Sequence, residues 1–215
     1  MTYIRHYIAE FAYNAIWIPW YVTLKIFAHY KVVYEDRSVR RPAGPVLIVA
    51  NHSSWIDPFL ISGPFPMFSS VFPIHFAVWQ KLFSVPGINI FVWIMGSFAV
   101  VRKIGLENTL AVPLALLARG WTVGVFPEGS RRKRVGRHKK ARRGVGYLAL
   151  KAHPRIVPVF VDGALGLTAK SFFSRRRHIT VYVGRPLRIP HEMQEREDAR
   201  EVAEFIAQKL NDLRK

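Results

Sequence analysis

The chain has 215 residues, 32 of them Lys or Arg and 14 Asp or Glu, for a formal net charge of +18, and it contains no Cys. Half of its residues are apolar and 13% aromatic, which excludes an intrinsically disordered polycation and suits one compact domain with a sizeable core. The absence of Cys excludes disulfides, thiolate metal sites and a Cys nucleophile, while the charge demands an acidic partner: nucleic acid, an anionic membrane surface or phosphorylated substrates.

Residues 1 to 30 carry an apolar stretch, Phe11 to Leu24, of 14 residues between Glu10 and Lys25. It contains Pro19 and falls short of the ~20 residues that a spanning helix needs. Tyr3, Tyr7, Tyr13, Trp17, Trp20, Tyr21 and Tyr30 are the amphipathic aromatics that favour a membrane interface. The expectation is a hairpin of two helices around Pro19 that lies in or dips into one leaflet; a hairpin packed on the core is the plainer reading of the same residues. From residue 31 onward, strand-like runs occur at Lys31 to Tyr34, Val46 to Ala50, Ile74 to Val78, Ser97 to Val101, Thr122 to Phe126, Ile156 to Val161 and Ile179 to Val183. Helical periodicity marks Leu106 to Ala118, Ala141 to Ala152 and Gln194 to Leu213. Residues 82 to 101 carry no charge but are broken by Pro86, Gly87 and Gly96, as buried elements lining an apolar cleft would be. This interleaving predicts a single α/β domain over residues 31 to 215, with a largely parallel mixed sheet flanked by helices and functional groups at the carboxyl ends of strands.

Charge and apolar surface are segregated along the chain. Residues 131 to 188 hold 17 Lys or Arg against one acid, Asp162, a net +16, whereas Lys81 is the only charged residue among 58 to 101. An apolar half beside a basic half suits a protein lying on an anionic bilayer, and an apolar core next to a solvated basic loop is the bland alternative.

Asn51-His52-Ser53-Ser54-Trp55-Ile56-Asp57 follows the strand Val46 to Ala50. On one continuous helix His52 and Asp57 would point ~140° apart. They meet only if His52 sits in the strand-to-helix turn and Asp57 in the first turn of the helix. The carboxylate then holds one imidazole nitrogen protonated and leaves the other as a general base. The same residues also read as a capping box formed by Ser54 and Asp57, and spacing alone does not choose. Phe126-Pro127-Glu128-Gly129-Ser130-Arg131 ends a second strand: Pro127 and Gly129 make a tight turn, Glu128 can accept hydrogen bonds from substrate hydroxyls, and Arg131 can reach a phosphate. Taken alone, these residues read more plainly as an ordinary turn leading into a solvated basic run. Gly96 to Arg102 puts one cation at the end of an apolar strand, which suits an anion site or simply the chain's exit into solvent.

Together these patterns resemble the glycerolipid acyltransferase family, of the 1-acylglycerol-3-phosphate (lysophosphatidic acid) acyltransferase type. Asn51, His52 and Asp57 match its Asn-His-x-x-x-x-Asp motif, Gly96 and Arg102 its Gly-x-x-x-x-x-Arg motif, Phe126 to Arg131 its Phe-Pro-Glu-Gly-[Thr/Ser]-Arg motif, and Val157 to Val159 its Val-Pro-Val. The match covers residues 46 to 162; it departs from the family at Ala99 and Val101, just before Arg102. The resemblance implies acyl transfer from a thioester, acyl-CoA or acyl-carrier protein, to the free hydroxyl of 1-acylglycerol-3-phosphate, giving phosphatidic acid. His52 is then the general base, oriented by Asp57, and Arg102, Glu128, Gly129, Ser130 and Arg131 bind the acceptor, with no metal or other cofactor. Other acceptors of the same chemistry stay open: glycerol-3-phosphate, another lysophospholipid or a lyso-aminolipid. The implied site of action is the cytoplasmic face of a membrane, held peripherally or monotopically, with Arg132, Lys133 and Arg134 assigned to anionic lipid. A non-catalytic nucleic-acid- or lipid-binding module is the rival class. No nucleic-acid motif supports it, and the aromatics lie apart from the basic run.

Overall fold

In the computed structural model, which describes residues 2–101, 105–132 and 140–214, each strand-like run forms a strand: β1 (Lys31–Tyr34), β2 (Val46–Ala50), β3 (Ile74–Trp79), β4 (Phe98–Val100), β5 (Thr122–Val125), β6 (Arg155–Asp162) and β7 (Thr180–Val183). They make one sheet in the order β1-β7-β6-β2-β5-β3-β4. Every neighbouring pair is parallel except β6 with β7. The flanking helices are α1 (Tyr3–Ala28), α2 (Asp57–Ser62), α3 (Ile88–Ile94), α4 (Leu106–Ala118), α5 (Gly144–Ala152), α6 (Ala169–Phe173), α7 (His191–Arg196) and α8 (Ala199–Asp212).

Strand β2 shows why the sheet is covered on both faces. All five of its residues are buried. Side chains alternate across a strand, so Val46, Ile48 and Ala50 join the core beneath α1 and α2, while Leu47 and Val49 join the core beneath α4, α5 and α8. Helix α8 contributes Val202, Ala203, Ile206 and Leu210, one apolar stripe at helical spacing. It packs so closely on α5 that a Cβ on Gly146 would collide with the carbonyl of Ala199.

Two expectations are corrected. The apolar period from Gln194 to Leu213 is two helices, because Glu197 takes a left-handed conformation and the Asp198 side chain caps a new start, accepting from the N–H groups of Arg200 and Glu201. The N-terminal segment is one helix rather than a hairpin, with Pro19 inside it. An interior proline costs about 3 kcal/mol, but α1 is stitched to the domain on both sides of it. The Tyr13 hydroxyl donates to the Ile74 carbonyl at 3.0 Å, and the indoles of Trp17 and Trp20 donate to the carbonyls of Phe65 and Phe59 at 2.7 and 3.1 Å. Leu24 and Ala28 are wholly buried in the core. No helix among the described residues is long and apolar enough to cross a membrane.

The topology fixes where chemistry can occur. Strands β2 and β5 are parallel neighbours with Val49 opposite Val125, so the chain after Ala50 and the chain after Val125 leave the sheet side by side.

Candidate active site

Asn51 is the first residue beyond β2, and it is buried. Its side-chain amide donates to the Val161 carbonyl at 2.8 Å, and its Oδ1 accepts from the Val161 N–H at 2.7 Å. These bonds extend the pairing of β2 with β6 past the end of the strand and fix the point from which the next residues turn.

That turn brings His52 onto Asp57. Asp57 Oδ2 accepts from His52 Nδ1 at 2.8 Å and from the backbone N–H groups of Ser53 and Ser54 at 2.6 and 2.8 Å. The carboxylate side chain is 0% exposed and the imidazole 20%. Since an ionised carboxylate only accepts, Nδ1 carries the proton and Nε2 presents its lone pair. Nε2 makes no hydrogen bond among the described residues. One face of the imidazole stacks on the Phe126 ring, with centroids 4.0 Å apart and planes 14° from parallel. The capping-box alternative is half realised: Asp57 does accept the Ser54 N–H, but Ser54 Oγ accepts from Ile56 rather than from Asp57. One buried carboxylate therefore both closes the turn and orients the imidazole.

The loop after β5 lies against this turn. The Gly129 N–H donates to the Phe126 carbonyl at 2.9 Å with φ at +65°, the left-handed region that favours glycine. The Arg132 N–H donates to the His52 carbonyl at 2.7 Å, joining the two loops by their backbones. Arg131 lays its guanidinium 3.8 Å from the ring centroid of Trp55, which is exposed; Ser130 is exposed as well. Arg102 lies outside the described residues, as do Lys133 and Arg134.

One sequence expectation changes here. Glu128 is buried, and its Oε1 accepts from Arg132 Nε at 2.5 Å. Arg132, assigned to the membrane with its neighbours, has a side chain 11% exposed; besides Glu128 it reaches Asn211 Oδ1 at 3.4 Å. A charge run looks solvated throughout, and the inward-facing Arg132 was legible only as a cation four residues after Glu128. Trp55 occupies an unmatched position of the Asn-His-x-x-x-x-Asp motif, which carries no signal of its contact with Arg131.

Beside the His52 turn, Ile16, Pro19, Trp20 and Thr23 of α1 face Ile56 and Phe59 across an apolar groove of about 430 Å³. The expectation that residues 82 to 101 are buried and line this cleft is corrected: the groove is lined by α1 with Ile56 and Phe59, while Val85, Ile88, Ile90, Phe91 and Trp93 are exposed, because this segment packs at the edge of the sheet rather than under the His52 turn. Further along α1, His6 Nδ1 lies 3.1 Å from His75 Nε2, and His75 Nδ1 lies 2.8 Å from the Gly96 carbonyl. Burial pushes His75 down to about 4, and it also lowers His6. This neutral pair, with His6 stacked on Trp121 at 3.8 Å, docks the start of α1 on the sheet. Among the described residues, no group of three or more His, Asp and Glu is placed to hold a metal ion.

A family model described as Acyltransferase matches residues 31–162. The chain is 26% identical over 156 residues to the 1-acyl-sn-glycerol-3-phosphate acyltransferase of Bacillus subtilis, covering 72% of each protein. It is 30% identical over 138 residues to a probable 1-acyl-sn-glycerol-3-phosphate acyltransferase of Mycoplasma genitalium, covering 63% of this chain and 50% of that one. The crystal structure of the 1-acyl-sn-glycerophosphate acyltransferase PlsC from Thermotoga maritima superimposes with a TM-score of 0.59 at 22% identity, over 85% of this chain and 73% of that one.

Proposed function

Because the chain belongs to the acyltransferase family, we propose that this enzyme moves a fatty acyl group from a thioester to the free hydroxyl of 1-acylglycerol-3-phosphate, with His52 as general base. The reading of the acceptor draws on the names of the two curated relatives. The reading of the base rests on one observation above all: His52 Nδ1 is held by Asp57 at 2.8 Å while Nε2 is left without a partner among the described residues.

A thioester is already activated, so the protein has to deprotonate the hydroxyl, align it and stabilise charge. The hydroxyl oxygen attacks the thioester carbonyl as its proton passes to His52 Nε2, and Asp57 stabilises the imidazolium that forms. Collapse of the tetrahedral intermediate breaks the C–S bond, and the imidazolium returns the proton to the departing thiolate. The ester is made directly, with no acyl-enzyme. Arg131, fixed against Trp55, and Arg102 supply charge for the acceptor's phosphate, with Gly129 and Ser130 alongside. Glu128 acts through Arg132, shaping the loop that carries them. The apolar groove between α1 and α2 seats an acyl chain next to the base. The donor is acyl-CoA or acyl-carrier protein.

Ile4, Tyr7, Phe11, Ile18 and Val22 are exposed on α1; in this reading they enter the interface of the cytoplasmic leaflet, and residues 31 to 215 work at its surface. A panel of acceptors with one labelled acyl donor tests the proposal. 1-Acylglycerol-3-phosphate should be acylated with the highest kcat/KM. Turnover of glycerol-3-phosphate or a lyso-aminolipid in its place would transfer the same chemistry to that acceptor.

A further inference from the structure

On the flank of α1 away from the His52 groove lies a second cavity, of about 340 Å³, whose lining includes Lys25, Lys31, Arg37 and Arg40 and no Asp or Glu. None of these four cations makes an ion pair among the described residues. The two nearby acids have other partners: Glu35 Oε2 accepts from the Arg185 N–H at 2.9 Å, and Asp36 accepts from the N–H and Oγ of Ser38, both at 2.8 Å. Aromatic rings position the cations without neutralising them. Lys25 Nζ lies 5.5 Å from the Tyr21 ring centroid and the Arg40 guanidinium 5.9 Å from that of Tyr34.

The walls are tied together. Tyr34 donates to the Pro64 carbonyl at 2.5 Å and Trp17 to that of Phe65, while Trp17 and Tyr21 stack 4.9 Å apart. Such a cavity recognises a compact anion, and a phosphate satisfies several of these donors at once.

What kind of phosphate follows from the helix. Trp17, Tyr21 and Lys25, four residues apart, share the face of α1 that lines this cavity. Ile18, Val22 and Ile26 follow them around the helix by about 100° and are exposed, so an apolar ridge borders the cationic cavity. Ile16, Pro19, Trp20 and Thr23, beyond the ridge, line the groove beside His52. A ligand that uses cavity and ridge together has a phosphate at one end and hydrocarbon at the other.

We propose that this cavity binds the phosphate of an anionic bilayer phospholipid, which is not the acyl acceptor, and so sets the depth and rotation of α1 with the His52 groove turned toward the acyl chains. The inference rests on the membrane-surface reading above, and its test separates the two. Sedimentation with vesicles of phosphatidylcholine containing one third phosphatidylglycerol compares the unaltered protein with a variant carrying Lys25→Gln, Lys31→Gln, Arg37→Gln and Arg40→Gln. A control variant carries Arg155→Gln, Arg188→Gln, Arg200→Gln and Lys209→Gln, exposed cations outside the cavity with the same total charge change.

The cavity variant should lose roughly fivefold in partitioning per cation removed, several hundredfold in all. The control should lose less than tenfold, and turnover of detergent-dispersed acceptor should stay within twofold for both. Equal losses in the two variants would reduce the effect to diffuse charge and overturn the site. Lost turnover in detergent would make the cavity part of the substrate site and overturn the second-lipid assignment while leaving the acyltransferase reading intact. Displacement of the protein from vesicles by inorganic phosphate, at ionic strength matched with chloride, would identify the ligand as a soluble phosphate instead.

Discussion

Replacing Arg132 by Ala separates a buried structural cation from a membrane-facing one. The change deletes the guanidinium whose Nε lies 2.5 Å from Glu128 Oε1, in a pair whose side chains are 11% and 4% exposed. It keeps the backbone N–H that donates to the His52 carbonyl at 2.7 Å. Removing one partner of a buried ion pair costs about 3–5 kcal/mol, a large fraction of the about 5–15 kcal/mol that holds a domain together. For a chain of this length that is a fall in melting midpoint of roughly 10 °C. Most of the penalty is the buried negative charge, so Arg132→Ala should cost only about 1 kcal/mol in a Glu128→Gln background, where the charge is gone. Arg132→Lys keeps the charge but loses the planar fork and should fall between. Urea unfolding of the four proteins of the cycle gives the coupling directly, and turnover in detergent should fall with the loop's stability. An unfolding midpoint unchanged by Arg132→Ala, with vesicle binding reduced instead, would refute the reasoning and restore Arg132 to the membrane surface.

Asn51→Ala removes both hydrogen bonds to Val161 and leaves a buried N–H and C=O unsatisfied at the end of β2. At about 1–3 kcal/mol for each such group, it should destabilise by roughly 2–6 kcal/mol, measured by urea unfolding. Asn51→Asp should fail to rescue it, since a carboxylate cannot donate to the Val161 carbonyl. Stability should also depend on pH through His75. Its folded value of about 4 lies below the ordinary 6.5, so the unfolded chain binds the extra proton, and the stability held above pH 6.5 is lost as pH falls toward 4. The loss amounts to roughly 3 kcal/mol over that window. His75→Gln should flatten the slope of unfolding free energy between pH 6.5 and 4; an unchanged slope would assign the dependence to other groups.

Strands were legible because each is a short apolar run bounded by turn residues, and a sheet covered on both faces demands that pattern. Helix α4 was legible for a similar reason, its apolar positions recurring at helical spacing from Leu106 to Ala118. Pro19 misled because local cost was weighed without the tertiary hydrogen bonds from Tyr13, Trp17 and Trp20 that span it. Asp198 misled because an apolar stripe can continue in phase through a cap. At the site, the five-residue spacing of His52 and Asp57 at a strand end allowed their meeting without choosing it over a capping box, and the joint occurrence of the motifs made the choice. The stacking of His52 on Phe126 was not legible, since it depends on β2 lying beside β5. The burial of Arg132 was hidden for the same cause: a charge's neighbours in sequence say little about whether it points into solvent or under the next loop.

The central claim is that His52 Nε2 removes the acceptor's proton, and single-turnover acyl transfer to 1-acylglycerol-3-phosphate by His52→Ala and His52→Gln measures it most directly. Loss of a general base should slow the chemical step by about 10²–10⁴-fold. Vesicle binding should change little, and any fall in the melting midpoint should stay modest, because Asp57 keeps the Ser53 and Ser54 N–H groups when the imidazole and its stacking on Phe126 are lost. A single-turnover rate within tenfold of the unaltered enzyme in either variant would contradict the assignment.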